Sequence, residues 1–149
     1  MATSRAARLA PVVEMAEKVE RAAVQRLGHF QGQVRLAETK LMELERFRSD
    51  YQQQWINNGS KGVSGQWLMN YQRFLNQLET AVGQQQKSLA WHENNLKTAR
   101  SAWQQAYARV EGLRKLVQRY IDEARMLEDK REQRLLDELS QRLPRHDAL

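Results

Sequence analysis

Two long apolar seams, each stepping alternately by three and four residues, leave this chain few ways to fold. The first visits Leu9, Val13, Ala16, Glu20, Ala23, Leu27, Phe30, Val34, Ala37, Leu41, Leu44, Arg48, Tyr51 and Trp55; twelve of these fourteen are apolar, where a content of 41% would supply about six. The second visits Leu68, Tyr71, Leu75, Leu78, Val82, Gln85, Leu89, His92, Leu96, Ala99, Trp103, Ala106, Val110, Leu113, Val117, Tyr120, Ala124 and Leu127, and sixteen of these eighteen are apolar. A repeat sustained this far keeps one narrow stripe facing a partner helix, which is the pattern of a coiled coil.

Between the seams lies one strong interruption, Ile56-Asn57-Asn58-Gly59-Ser60-Lys61-Gly62-Val63-Ser64-Gly65. Asn and Gly tolerate left-handed backbone, so Asn58-Gly59 predicts a helix stop, and Ser64 is placed to cap the helix that follows. The expected fold is all-α: a single antiparallel coiled-coil hairpin over residues 1–149. Its first helix spans about 7–57, the turn 58–64, the longer second helix about 65–142, and a short tail 143–149. Pro11 is expected in the first turn of the first helix, and Pro144 just beyond the end of the second. With the turn centred near residue 61, residues on the two helices meet when their numbers sum to roughly 122. Gly28 and Gly32 interrupt the first helix near the level of Trp91 and His92, either to make room for bulky groups or to allow a bend.

Composition narrows the chemistry. With no cysteine there is neither a disulfide framework nor a zinc-thiolate site. No apolar run is long enough to span a bilayer, and the arginines of residues 1–10 have no continuous apolar segment behind them, so a soluble intracellular protein is expected. The net charge of +6 raises the question of an anionic partner. Its distribution answers against a one-signed face: Asp122-Glu123-Ala124-Arg125 and Glu128-Asp129-Lys130-Arg131-Glu132 alternate signs as solvated helices do.

Two features exceed what a hairpin needs. The second helix outruns the first, so residues from about 118 onward lack a partner in their own chain. They still carry Tyr120, Ile121, Met126, Leu127, Leu135, Leu136, Leu139 and Leu143, while the continued stride lands on Arg131, Arg134 and Glu138. Unpaired helix with apolar residues on it either meets another protein there or frays. Near the turn, Trp67, Phe74 and Ala81 sit one step before seam positions, and Phe47 does the same on the first helix. Such rings either shield the seam edge or present an aromatic patch to a partner.

Catalytic chemistry has no foothold. His29, His92 and His146 are far apart, and Gly59, Gly62 and Gly65 precede no Lys-Ser/Thr and follow no strand. His92 occupies a seam position and reads as a polar register-setting residue, alongside Gln85, Glu20 and Arg48. No cofactor or metal is expected, and the chain reads as a binding or assembly protein rather than an enzyme.

The residues around the turn then suggest a family. Phe47-x-x-x-Tyr51 before it, and Trp67-Leu68-Met69-Asn70-Tyr71-Gln72-Arg73-Phe74-Leu75-x-x-Leu78-Glu79-x-Ala81-x-x-Gln84-Gln85 after it, resemble the FliJ family of the bacterial flagellar type III export apparatus. The resemblance spans essentially the whole chain, with Asn-Tyr-Gln-x-Phe its most specific part. The family often has Tyr where this chain has Phe47 and His where it has Gln85. Family members look like the central stalk subunit of rotary ATP synthases.

The resemblance implies a non-enzymatic stalk that promotes assembly of the export ATPase ring, FliI, and links it to the export gate protein, FlhA. It implies a gate surface at Leu44, Phe47, Tyr51, Phe74, Leu78 and Ala81. The unpaired stretch would serve the ATPase ring through Tyr120, Ile121, Met126, Leu127, Leu135, Leu136 and Leu139. Export chaperones are further partners the family implies; nucleic acid and direct membrane insertion are not expected, and association with the inner membrane would be peripheral. Other readings remain: the equivalent stalk of a virulence secretion system, a basic nucleic-acid binder, or a plain structural coiled coil.

Overall fold

A computed structural model describes residues 4–143; Pro144, His146 and the remainder of the expected tail lie outside them. Two helices form, α1 over Arg5–Gly59 and α2 over Gly65–Arg142, and no strand is present among the described residues. The helices pack against each other, and α2 is the longer.

Each helix starts on a serine cap. Ser4 Oγ accepts from the Ala7 amide at 3.1 Å, which starts α1 two residues earlier than expected. Ser64 Oγ accepts from the Trp67 amide at 3.1 Å, as its position in the sequence predicts. The early start moves Pro11 beyond the first turn and into the body of α1. Pro11 and Ala7 are both exposed, so water can satisfy the Ala7 carbonyl that proline leaves without an amide donor.

The connection departs from expectation in one respect. Asn58 and Gly59 remain helical, and the backbone turns left-handed at Gly62, with φ of 79°. Lys61 donates its amide to Asn58 O at 3.1 Å, and Gly62 donates to Gly59 O at 3.3 Å. The Ser60 hydroxyl donates to Asn57 O at 2.8 Å. Those bonds tighten the end of α1 before the reversal, so the left-handed residue is displaced to the next glycine.

The chain forms two compact units, one of Arg21–Gln104 and the other of Met1–Glu20 with Gln105–Leu149. In both units the core is the seam and nothing else. The nine buried hydrophobic residues are Ala16, Val34, Ala37, Tyr71, Leu78, Val82, Ala99, Ala106 and Val110. Every one is a seam position, and no described polar residue is buried. A two-helix interface is one side chain deep, which is why most other seam residues are only half-buried.

In the unit of Arg21–Gln104, pairing across the helices follows the expected sum. Trp55 meets Trp67, Tyr51 meets Tyr71, and Gln85 reaches Ala37. In the other unit, Arg114 bridges Glu17 at 3.3 Å and its own-helix neighbour Glu111 at 3.2 Å. These ion pairs are solvated and contribute at most about 1 kcal/mol.

An added Cβ at Gly28 or Gly32 would meet no atom within 4 Å. Neither glycine makes room for a bulky neighbour, so the first of the two explanations for them falls away. No described helix is long and apolar enough to cross a membrane.

Candidate interaction surfaces

Six rings from both helices stack toward the turn of the unit Arg21–Gln104. Trp55, Trp67 and Tyr71 form a triangle of rings, with Trp55 5.4 Å from Trp67 and 4.7 Å from Tyr71. Trp67 also stacks on Tyr71 at 5.6 Å, and Tyr71 on Tyr51 at 4.9 Å with planes only 8° apart. Tyr51 tilts against Phe74 at 4.7 Å, and Phe74 meets Phe47 edge-on at 6.3 Å. Such pairs each add about 0.5–1.5 kcal/mol beyond the area they bury.

The ladder resolves the two possibilities that the flanking aromatics left open, and it does so differently at each ring. Trp67 is half-buried against Trp55 and Tyr71, and so shields the seam. Phe47 and Phe74 seal the far end on one side but remain 54% and 38% exposed on the other. Leu44, Tyr51 and Ala81 are half-buried. Leu78 is only 7% exposed and belongs to the packing between the helices. The continuous ladder is the feature the flanking pattern does not reveal, although the pairing sum applied to the ring positions gives 121 or 122 for Phe47 with Phe74, Tyr51 with Tyr71, and Trp55 with Trp67.

Tyr71 is the one described group with a displaced titration. Burial pushes its phenol above the ordinary value of 10.0, and the neighbouring Tyr51 and Glu79 push it the same way. The neutral phenol is therefore the form this packing accepts.

Two polar seam residues just beyond the ladder behave in opposite ways. Gln85 Nε2 donates across the helices to Ala37 O at 3.1 Å, a bond that ties side chain to backbone at one register. His92 Nδ1 is shielded from solvent and has no hydrogen-bond partner among the described residues. Gln85 thus supports the register role that its position suggests; His92 leaves a polar atom unsatisfied.

Among the described residues, nothing covers the end of α2 in the other unit. The Arg5 guanidinium sits 4.7 Å above the Tyr120 ring and lies 4.0 Å from Glu123, so Tyr120 is half-buried. The expected boundary near residue 118 therefore shifts: the earlier start of α1 and the reach of Arg5 cover Tyr120. Every residue from 121 to 143 is exposed. Ile121, Met126, Leu127, Leu135, Leu136, Leu139 and Leu143 are all large apolar side chains in water there. At 1.5 Å per residue this stretch is about 35 Å of helix. Among the described residues no group of His, Cys, Asp and Glu could hold a metal ion.

The family model for the flagellar FliJ protein matches residues 4–148. The chain belongs to the flagellar FliJ family. Among curated FliJ proteins, that of Escherichia coli K12 is 27% identical over 134 residues, covering 90% of this chain and 91% of its own. The FliJ protein of Salmonella typhi is 26% identical over 129 residues, covering 87% and 88%. No solved structure matches the chain significantly. Family membership spans both units, so the aromatic ladder and the uncovered helix both fall within the matched region.

Proposed function

We propose that this chain is a non-enzymatic component of the bacterial flagellar type III export apparatus. In this reading it acts as a stalk-like coupling factor between the export ATPase ring, FliI, and the export gate protein, FlhA. The observation that carries the reading is the uncovered helix at residues 121–143. Its apolar side chains are exposed with no cover among the described residues, and apolar surface gathered on one helix in this way marks a contact with another protein. The ATPase ring is its proposed partner, through Ile121, Met126, Leu127, Leu135, Leu136 and Leu139. Tyr120 contributes at the margin, where Arg5 already occupies one ring face.

The gate surface is proposed on the exposed side of the aromatic ladder. Phe47 and Phe74 offer free ring area, Leu44, Tyr51 and Ala81 frame them, and Leu78 acts only by holding the packing beneath. Rings fixed by neighbours lose little entropy on binding, which suits them as anchors. The protein would work at the cytoplasmic face of the inner membrane, held there by its partners, with export chaperones as further clients.

The test mixes the chain with its cognate export ATPase and follows hydrolysis against ATPase concentration. Stimulation that brings ring assembly to lower concentration is expected. An unchanged concentration dependence, with the ATPase otherwise active, overturns the stalk role.

A further inference from the structure

The turn end of the unit Arg21–Gln104 carries a second exposed surface, of a different character from the Phe47–Phe74 side. No carboxylate occurs between Asp50 and Glu79; Lys61 and Arg73 are the only charged residues in that interval. The interval thus carries two positive charges and no negative one, and it is rich in amides. Three aliphatic side chains are exposed on it: Ile56 at 62%, Val63 at 39% and Met69 at 64%.

Ile56 and Met69 belong to one side. Phe47 and Phe74 each come one residue before a seam position, Arg48 and Leu75, and their rings touch. In an antiparallel pair, residues one step after seam positions share the opposite side. Ile56 follows Trp55 and Met69 follows Leu68, so both lie on that side, with Val63 and Lys61 in the connecting turn. The patch is therefore separate from the surface assigned to the gate.

We propose that this turn end seats on an anionic lipid bilayer at headgroup depth. Three observations select that occupant. The absence of carboxylates removes repulsion from lipid phosphates, and Lys61 and Arg73 add attraction. The exposed groups are aliphatic, which gain from acyl-chain contact but not from a sugar-phosphate backbone. The rings of Trp55, Trp67 and Tyr71 are already stacked on one another, so they do not offer the free faces that nucleic-acid bases need. The contact is interfacial, and nothing in it spans the membrane.

Because the chain has no cysteine, a single label site reports the contact directly. Ser60→Cys at the turn and Ser140→Cys near the end of α2 each receive an environment-sensitive fluorophore. The full chain is then titrated with vesicles of phosphatidylglycerol and phosphatidylethanolamine, or of phosphatidylcholine alone. A blue shift at the turn label with anionic vesicles, reversed by high salt and absent at the other label, is expected. Ile56→Asp with Met69→Asp should weaken binding by at least about tenfold. Lys61→Gln, which alters no packing, should weaken it by roughly fivefold. Circular dichroism should be unchanged in both, since all three side chains are exposed. No shift at the turn label overturns the proposal, as does binding that survives the aspartate pair. An RNA homopolymer that shifts the turn label equally in the aspartate pair assigns the surface to nucleic acid and also overturns it.

Discussion

The ladder end of α1 and α2 and the 23 residues 121–143 contain similar numbers of large apolar side chains, yet they treat them in opposite ways. At the ladder, rings from two helices stack on each other, and Tyr71 and Leu78 are buried. At residues 121–143, Leu127, Leu135, Leu136, Leu139 and Leu143 all face water. The difference is not hydrophobicity but the presence of a second helix in register. An apolar seam residue stabilises the fold only where its counterpart exists; without one, the same residue is available for a partner molecule.

The largest expected effect separates the two regions by substitution. Leu78→Ala should lower stability by about 2–4 kcal/mol, because it leaves a cavity in a one-layer core. Leu136→Ala should change it by less than about 0.5 kcal/mol, because its side chain is 62% exposed. Urea denaturation followed by circular dichroism reads both. Equal losses would erase the distinction between packed and uncovered apolar residues.

The polar seam residues sharpen the packed side. His92→Leu should raise stability by about 1–2 kcal/mol by removing a shielded nitrogen that has no partner. Gln85→Leu should gain little or lose up to about 1 kcal/mol, since it gives up the bond to Ala37 O. The ordering of the two variants in the same denaturation experiment is the check.

Gly28→Ala and Gly32→Ala should each stabilise by up to about 1 kcal/mol, because the added methyl meets no atom and helical glycine is entropically unfavourable. A loss on either would mean that a bend at that position is needed for packing.

The smallest effect concerns pH. Tyr71 has its titration raised by burial, so its contribution is fully present below the unfolded value near 10.0 and is lost as pH rises through the higher folded value. Thermal stability should therefore fall in strong alkali, and Tyr71→Phe should flatten that fall. An unchanged alkaline slope in the variant would place the titration elsewhere.

Much of this was legible in the spacing of residues. All nine buried hydrophobic residues are seam positions, because in a two-helix interface the periodic stripe is the whole core. Ser64 and the pairing of the helices in the unit Arg21–Gln104 followed from local chemistry and a sum of residue numbers. The left-handed residue did not: Asn58, Gly59 and Gly62 all permit the conformation, and the choice depends on how the connection closes. The start of the uncovered stretch was displaced because Ser4 capped α1 early and Arg5 reached across to Tyr120. The ring ladder needed seam and flank positions to be considered together across both helices.

The most direct test of the two-surface account crosses two full-length variants against two partners. Leu136→Asp with Leu139→Asp alters the uncovered helix, and Phe47→Ala with Phe74→Ala alters the exposed ladder side. Binding of each to the export ATPase and to the gate protein is measured by surface plasmon resonance, with circular dichroism as the folding control. The account predicts that the first variant loses the ATPase and keeps the gate, and that the second does the reverse. Loss of both partners by either variant, with helicity intact, would contradict it.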